Sequence, residues 1–329
     1  MGGYITRRLL SMLFMLLLLS LVVFLLFSVL PTDPARLTCG KACTPAIIEA
    51  NRHRLGLDLP VWQQYWEFLK GMFLGRTYGS GSQTFECSAP CLGYSFKRGE
   101  EVTVLIKDRF PATMWLAIGA FILWITIGIS VGIYSALRRG KWQDKTVMSV
   151  SLVGYSLPSF FIGLILLFFI VLRWQLLPYP AYVPPWENPV QFFQTMILPW
   201  IVLAILYAAF YMRLTRNQML DTLGEDYIRT ARAKGLPERI VIRKHALRAG
   251  LTPIVTAAGL DLAGLLGGAI ITEQIFSLPG LGSLAVSSVQ DYDLPLIVGI
   301  TLVTATFIIV ANLIVDLLYA VIDPRVRLV

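Results

Sequence analysis

Four stretches of this chain, residues 9–30, 110–137, 146–172 and 189–212, contain no charged side chain. Roughly 20 consecutive apolar residues let a helix cross about 30 Å of hydrocarbon, so each stretch reads as a membrane span. Residues 249–271 and 294–320 meet the same requirement with one exception each, Asp261 and Asp316. With 56% of residues hydrophobic and 15% charged, a soluble fold would lack the polar surface to cover itself, and lipid must solvate the rest. The expected fold is an all-α polytopic membrane protein with six transmembrane helices. Pro158 and Pro199 fall inside spans and are expected to kink them, which membrane helices tolerate where a neighbour satisfies the freed carbonyl.

The basic residues set the orientation, because lysine and arginine in short flanks stay on the cytoplasmic side. Arg7 and Arg8 precede the first span, and Arg138, Arg139, Lys141 and Lys145 fill the second connection. The fourth connection is the most basic, running from Arg213 and Arg216 through Arg229, Arg232, Lys234, Arg239, Arg243, Lys244 and Arg248. Arg325 and Arg327 close the chain, whereas residues 277–293 hold no basic residue. Strict alternation puts every basic segment on one side, so both termini are expected in the cytoplasm. The net charge of +8 is thereby read as topology, and no nucleic-acid partner is expected. Residues 9–30 are longer than the apolar core of a cleavable signal peptide and run into Pro31, so the first helix is read as retained.

The chain divides into an N-terminal segment and first span (1–30), an extracytoplasmic loop (31–109) and a core of five spans (110–329) with a cytoplasmic loop at 213–248. In the outer loop, residues 51–55 and 62–73 read as short amphipathic helices separated by Gly56-Leu57-Asp58-Leu59-Pro60. Trp62, Tyr65, Trp66, Phe68 and Phe73 suit either the lipid headgroup level or a local hydrophobic core. All four cysteines lie in this loop, as Cys39-x-x-x-Cys43 and Cys87-x-x-x-Cys91. The compartment they face is oxidising, so disulfides are expected, with all three pairings open. A zinc site including His53 is the rival; its spacing is looser than that of common zinc knuckles, and no metal is expected.

Catalytic constellations are missing. There is no G-x-x-x-x-G-K-[ST] phosphate loop, no H-E-x-x-H and no G-x-S-x-G. Residues 75–81 are glycine-rich but lack the lysine and the following helix. The chain is not expected to be an enzyme or to hold a cofactor, and energy for uphill transport must come from a partner or an ion gradient.

Residues 221–248 are too polar to span, yet they are not loop-like. Residues 225–234 are helix-forming throughout, with Glu225 and Asp226 at the start and Arg232 and Lys234 at the end, matching the helix dipole. Gly235 supplies a residue able to take the left-handed conformation after a helix. Pro237 and Glu238 open a second helix that is expected to run to about Arg248.

The string Asp226-Tyr227-Ile228-Arg229-Thr230-Ala231-Arg232-Ala233-Lys234-Gly235-Leu236, followed by Arg243-Lys244-His245-Ala246-Leu247-Arg248, resembles the coupling loop of bacterial ABC importer permeases in its dipeptide and oligopeptide version. Of the general E-A-A-x-x-x-G pattern, only Ala231 and Gly235 keep the letters. Similar segments recur at Tyr4-Ile5-Thr6-Arg7-Arg8-Leu9, Leu55-Gly56-Leu57-Asp58, Leu265-Leu266-Gly267-Gly268, Phe276-Ser277-Leu278-Pro279-Gly280-Leu281-Gly282 and from Val315 to Arg325, leaving the cysteine segments as insertions. The resemblance implies a type I ABC importer permease fold in a bacterial inner membrane. It implies a second, homologous permease subunit, two cytoplasmic ATPase subunits that carry ATP and Mg, and an extracytoplasmic peptide-binding protein. Asp226, Tyr227, Arg229, Thr230, Ala231, Arg232, Lys234, Gly235, Leu236 and His245 would form the ATPase-coupling loop, with Arg229, Arg232 and Lys234 offered to acids there. Peptides are the expected cargo, with a nickel complex, glutathione or a sugar as alternatives. A secondary transporter is the reading from another class.

Asp261 is the deepest acid. Counted from the start of the fifth span at about 1.5 Å per residue, it lies roughly 18 Å in, near the bilayer middle, where a carboxylate costs about 2.5–3.5 kcal/mol. It is expected to face protein or a water-filled path. Gly259, Gly264, Gly267 and Gly268 are expected on the same helix, with Glu273 at its outer end, and Asp261 and Glu273 are the candidates for lining the translocation pathway.

Overall fold

The computed structural model describes residues 2–29, 44–55, 57–78 and 84–322. Two compact units emerge, one from Met1–Thr113 with Pro279–Val310 and the other from Met114–Leu278 with Ala311–Val329.

In the first unit, α1 (Gly2–Val29) contains an apolar window at Thr6–Leu25. The outer segment then forms α2 (Pro45–Leu55), α3 (Val61–Leu74) and two small antiparallel hairpins. Strands β1 (Arg76–Tyr78) and β2 (Phe85–Cys87) make one hairpin, and β3 (Tyr94–Ser95) and β4 (Glu100–Glu101) make the other. α2 starts six residues before the expected position, at Pro45, whose fixed φ suits the first helical turn; its polar run gives no apolar periodicity to read. Cys87 and Cys91 are bonded to each other, so the pairing is local at this insertion. Cys39 and Cys43 lie outside the described residues. His53 contacts Asp58 at 2.9 Å, and among the described residues no group of three or more His, Cys, Asp or Glu is placed to hold a metal.

α4 (Val102–Leu137) begins eight residues before the expected span and carries Lys107, Asp108 and Arg109 in its opening turns. Val102, Leu105 and Ile106 form a core with Leu281, Leu284, Leu296 and Ile300. Two of these belong to α12 (Leu281–Gln290), a helix in the connection that precedes the last span. Its Gly- and Ser-rich sequence hides it from pattern reading; what fixes it is burial, together with the Thr113 hydroxyl accepting the Leu281 N–H at 2.8 Å. Asp293 sits at the start of α13 (Leu294–Ile322). Its buried carboxylate accepts from the Ser95 hydroxyl and the Leu296 N–H, and burial pushes its pKa up.

The second unit holds the remaining spans. α5 (Trp142–Ser156) and α6 (Ser159–Arg173) meet at 94° around Leu157-Pro158. The expected kink in a single helix is therefore a break. α7 (Pro189–Gly224) is continuous through Pro199, and Asn188 caps it by accepting the Gln191 N–H at 3.1 Å. Helix α9 (Glu238–Gly250) meets α10 (Thr252–Leu266) at 47°. Gly267–Ala269 then interrupt the chain before α11 (Ile270–Ile275). The fifth span is thus broken, and Gly267 and Gly268 lie in its break rather than on the helix of Asp261. Among the described residues four continuous helices are long and apolar enough to cross a membrane, or up to six spans if each bent pair counts as one.

α4 and α7 approach closely through glycine. A Cβ built on Gly128 would stand 2.5 Å from the Tyr211 Cβ, and one on Gly132 would stand 2.6 Å from the Thr215 Cβ. Small residues four apart let backbones approach where no hydrophobic effect operates between helices. Gly128→Leu is expected to overpack this contact by about 1–3 kcal/mol, seen as a lower thermal midpoint of the purified protein in detergent; an unchanged midpoint would show that the helices can separate at no cost.

Candidate functional site: the basic face

The polar stretch after residue 212 does not begin as a loop: α7 continues through Arg213 and Arg216 to Gly224. After Glu225 the chain turns into α8 (Asp226–Ala233), whose Ile228 and Ala231 are buried with Ala136, Met219, Val241 and Ala246. These contacts anchor one side of α8 and leave the other open. Tyr227, Arg229, Thr230, Arg232 and Lys234 are exposed, as is Leu236 beyond the turn.

The end of α8 is set by Gly235. Its φ is +77°, a conformation that costs any residue with a Cβ. The Leu236 N–H reaches back to the Ala231 carbonyl at 3.4 Å, and the Gly235 N–H reaches the Arg232 carbonyl at 2.9 Å. This pair of bonds is a Schellman motif, and it satisfies carbonyls that the helix end leaves open. Pro237 cannot continue the helix and instead precedes α9, which contains a π-helical turn over Val241–Ala246 with His245 half-buried in it.

The cations expected to meet a partner are partly engaged within the chain. Arg232 bonds Glu238 at 2.6 Å across the Gly235 turn, raising its own pKa and lowering that of Glu238. Arg229 stands 3.4 Å from Asp226. Both pairs are exposed, so screening leaves them little stabilising weight, and they remain exchangeable for other acids. Lys234 is exposed.

Beside this loop lies a buried ion pair. Asp144, in the first turn of α5, is 3% exposed. Arg216 of α7 grips both its oxygens, Nε to Oδ1 at 2.6 Å and Nη2 to Oδ2 at 2.8 Å. The Ser135 hydroxyl donates to Oδ1 at 2.6 Å and the Gly140 N–H to Oδ2 at 3.0 Å. One carboxylate therefore ties together α4, α5 and α7. Sequence reasoning counted Arg216 only as a topology signal and passed over Asp144, although a lone acid in the basic connection at 138–145 was the available clue.

Asp261 is half-buried on α10 and accepts the Tyr211 hydroxyl at 2.6 Å. Trp124 stacks on Tyr207 with ring centroids 4.5 Å apart and lies 6.4 Å from Tyr211. Gly250, at the foot of the fifth span, lies against Met219 and Thr222, so that a Cβ there would be 3.4 Å from each side chain. Tyr211 is only about 3 Å along α7 from Arg213, so its hydrogen bond ties Asp261 to a part of α7 close to the first basic residue of that helix. Glu273 is on the separate helix α11 and fully buried, not at the outer end of the helix of Asp261.

The comparisons agree with this architecture. Residues 128–328 match the family described as the binding-protein-dependent transport system inner membrane component, and residues 1–117 match its N-terminal companion. A putative peptide transport system permease protein of Brucella abortus is 37% identical over 329 residues, 99% of each chain. The glutathione transport system permease protein GsiC of Escherichia coli K12 is also 37% identical over 329 residues, 99% of each chain. A probable peptide ABC transporter permease of Sinorhizobium fredii is 35% identical over 327 residues, 99% of this chain and all of that one. A chain of the MetNI methionine ABC transporter, solved in inward-facing conformations, shares the fold at TM-score 0.55 and 17% identity, covering 67% of this chain and 97% of that one.

This is a multi-pass membrane permease with the helical fold of ABC importers. It belongs to the family of binding-protein-dependent transport system inner-membrane components, and the secondary-transporter alternative is set aside.

The ion pair gives a prediction with a defined sign. Arg216 first, then Ser135 and Gly140, hold the Asp144 carboxyl far below the usual carboxylate range. The pair's contribution is complete above the unfolded carboxylate value of about 4 and is lost as pH falls through the lower folded value. Asp144→Asn leaves Arg216 buried without its counter-charge, at a cost of about 3–5 kcal/mol. Thermal unfolding in detergent should show that deficit at neutral pH and a shrinking one as pH falls below about 4. A deficit that does not change with pH would mean that charge is not what the site supplies.

Proposed function

We propose that this chain forms one half of the channel of an ATP-driven peptide importer, paired with a second, homologous permease subunit. The observation that carries the reading is α8 with its Gly235 turn: a short helix buried on one side by Ile228 and Ala231 and open on the other. Such a knob suits a groove on a cytoplasmic ATPase. Two ATPase subunits would hold ATP and Mg, leaving this chain as a non-catalytic conduit. An extracytoplasmic binding protein would deliver cargo, and alternation of the basic segments supports both termini in the cytoplasm of a bacterial cell. Peptide cargo is supported by relatives named for peptide and glutathione transport, since glutathione is itself a small peptide.

In this reading Asp226, Tyr227, Arg229, Thr230, Ala231, Arg232, Lys234, Gly235, Leu236 and His245 form or support the coupling surface. Gly235→Val tests it. A Cβ at this position meets nothing within 4 Å, so the cost is conformational, about 1 kcal/mol or more, and acts on the turn alone. The variant should insert normally, retain less ATPase on copurification and lose most ATP-dependent uptake. Wild-type uptake with unchanged ATPase retention would show that the turn does not couple.

Asp261 is the acid proposed to meet the cargo. It is only half-buried, and Tyr211 occupies one of its acceptor positions, which leaves capacity for a weak attraction to a peptide's ammonium terminus at the cytoplasmic exit. Asp261→Asn should slow uptake of peptides with free N-termini more than uptake of acetylated ones in the assembled complex. An equal effect on both would restrict the residue to holding α10 against α7.

A further inference from the structure

The helix α3 has more apolar surface than the described residues cover. At about 100° per residue, Tyr65, Phe68 and Met72 fall on one stripe, and Trp62, Trp66, Leu69 and Phe73 fall on the stripe beside it. Gln63, Gln64, Glu67 and Lys70 occupy the remaining side. The first stripe is taken by the membrane helix α1. The Tyr65 hydroxyl lies 2.9 Å from the Ser20 Oγ and 3.3 Å from the Leu17 carbonyl oxygen. Phe24 meets the Tyr65 and Phe68 rings at 5.4 and 5.9 Å. Phe68 and Met72 also close over Val23, Val298 and Leu302.

The second stripe has no such cover. Trp62 is 68% exposed, Trp66 63% and Phe73 76%. Exposure this large on adjacent aromatic rings calls for a non-aqueous neighbour.

The contacts on α1 say which neighbour. Leu17, Ser20, Val23 and Phe24 all lie inside the apolar window Thr6–Leu25, in the half remote from Arg7 and Arg8. α3 is therefore held against a helix surface at hydrocarbon depth. Leu17 of that surface is itself exposed. Tryptophan is the side chain that membrane–water interfaces favour, because its ring is apolar and its N–H remains wet.

We infer that α3 is an interfacial helix. It lies in the outer leaflet with Trp62, Trp66 and Phe73 among the upper acyl chains and Gln63, Glu67 and Lys70 turned to the headgroups. A helix with one apolar side and one charged side lies in such a plane. The extracytoplasmic segment is thereby attached to the lipid surface at the point where it leaves the first span, and the docking area for a soluble partner is left to the hairpins beyond it. This rests on the membrane-spanning reading of α1 and not on the identity of the cargo.

The test uses spin labels on the intact importer in lipid nanodiscs, at Trp62→Cys and Trp66→Cys on the stripe and Lys70→Cys on the polar side. The chain without an added cysteine serves as the blank for native thiols. Collision with oxygen, which partitions into lipid, is compared with collision with a water-soluble nickel chelate. Both tryptophan sites should favour oxygen several-fold over the chelate, and Lys70→Cys should show the reverse. Free access of the chelate to both tryptophan sites would overturn the inference and make the stripe a surface for a soluble protein. Shelter from both agents would also overturn it, placing the partner permease or residues 30–43 of this chain over the stripe. ATP-dependent peptide uptake measured on the same variants reports on the proposed function separately, so either reading can fail without the other.

Discussion

A backbone amide in hydrocarbon has no water to bond with, and the spans of this chain answer to that constraint. It explains why each span is helical, and it governs how the spans are allowed to break. At the turn between α5 and α6 the Leu157 N–H still reaches the Val153 carbonyl at 3.2 Å, and the Phe161 N–H reaches Pro158 at 3.1 Å. At the interruption after α10, Gly267 and Gly268 reach back to Gly264 and Leu265 at 3.2 and 3.0 Å. The bends therefore cost few hydrogen bonds. Ile162, Gly163 and Leu265, beside these breaks, are buried.

Toward the basic face the constraint relaxes, and polar contacts take over the work of holding helices together. The carboxylate of Asp144 joins three helix ends through four hydrogen bonds, while Tyr211 and Asp261 join α7 to α10 about one turn further in. Below them the α8 loop sits on a small apolar cluster, stiff on the side facing its own chain and open on the other. A coupling element benefits from that division: a push on the exposed face reaches α7 and α9 through Ile228, Ala231, Met219 and Val241 without first having to order a loop. The Arg232–Glu238 pair across the glycine turn belongs to the exposed side, where ion pairs form and exchange at little cost.

The outer segment follows a different rule. It is short on core, and it gains order from a disulfide, two small hairpins and an aromatic group around Tyr78, Phe85, Tyr94 and Phe96. Its helix α3 divides its aromatics between α1 and the outside. Of the two readings open at the sequence level, local core holds for the face that packs on α1, and headgroup contact is the one proposed for the other face of the same fourteen-residue helix.

The sequence by itself determined the spans, the positive side of the membrane, the helix–glycine–helix loop and the family. These are set by hydropathy, by flank charge and by the backbone freedom of glycine, which act over a few residues and can be read locally. Tertiary structure alone decided the 94° break at Pro158, the helix at Leu281–Gln290, the Tyr211–Asp261 bond and the ion pair between Asp144 and Arg216. Each of these depends on which surfaces meet across many residues. A proline permits a bend without setting its angle, a Gly- and Ser-rich segment becomes helical only against a core, and a carboxylate within a span finds its hydroxyl only where two helices pack. Asp144 and Arg216 are 72 residues apart, and nothing local to either one names the other.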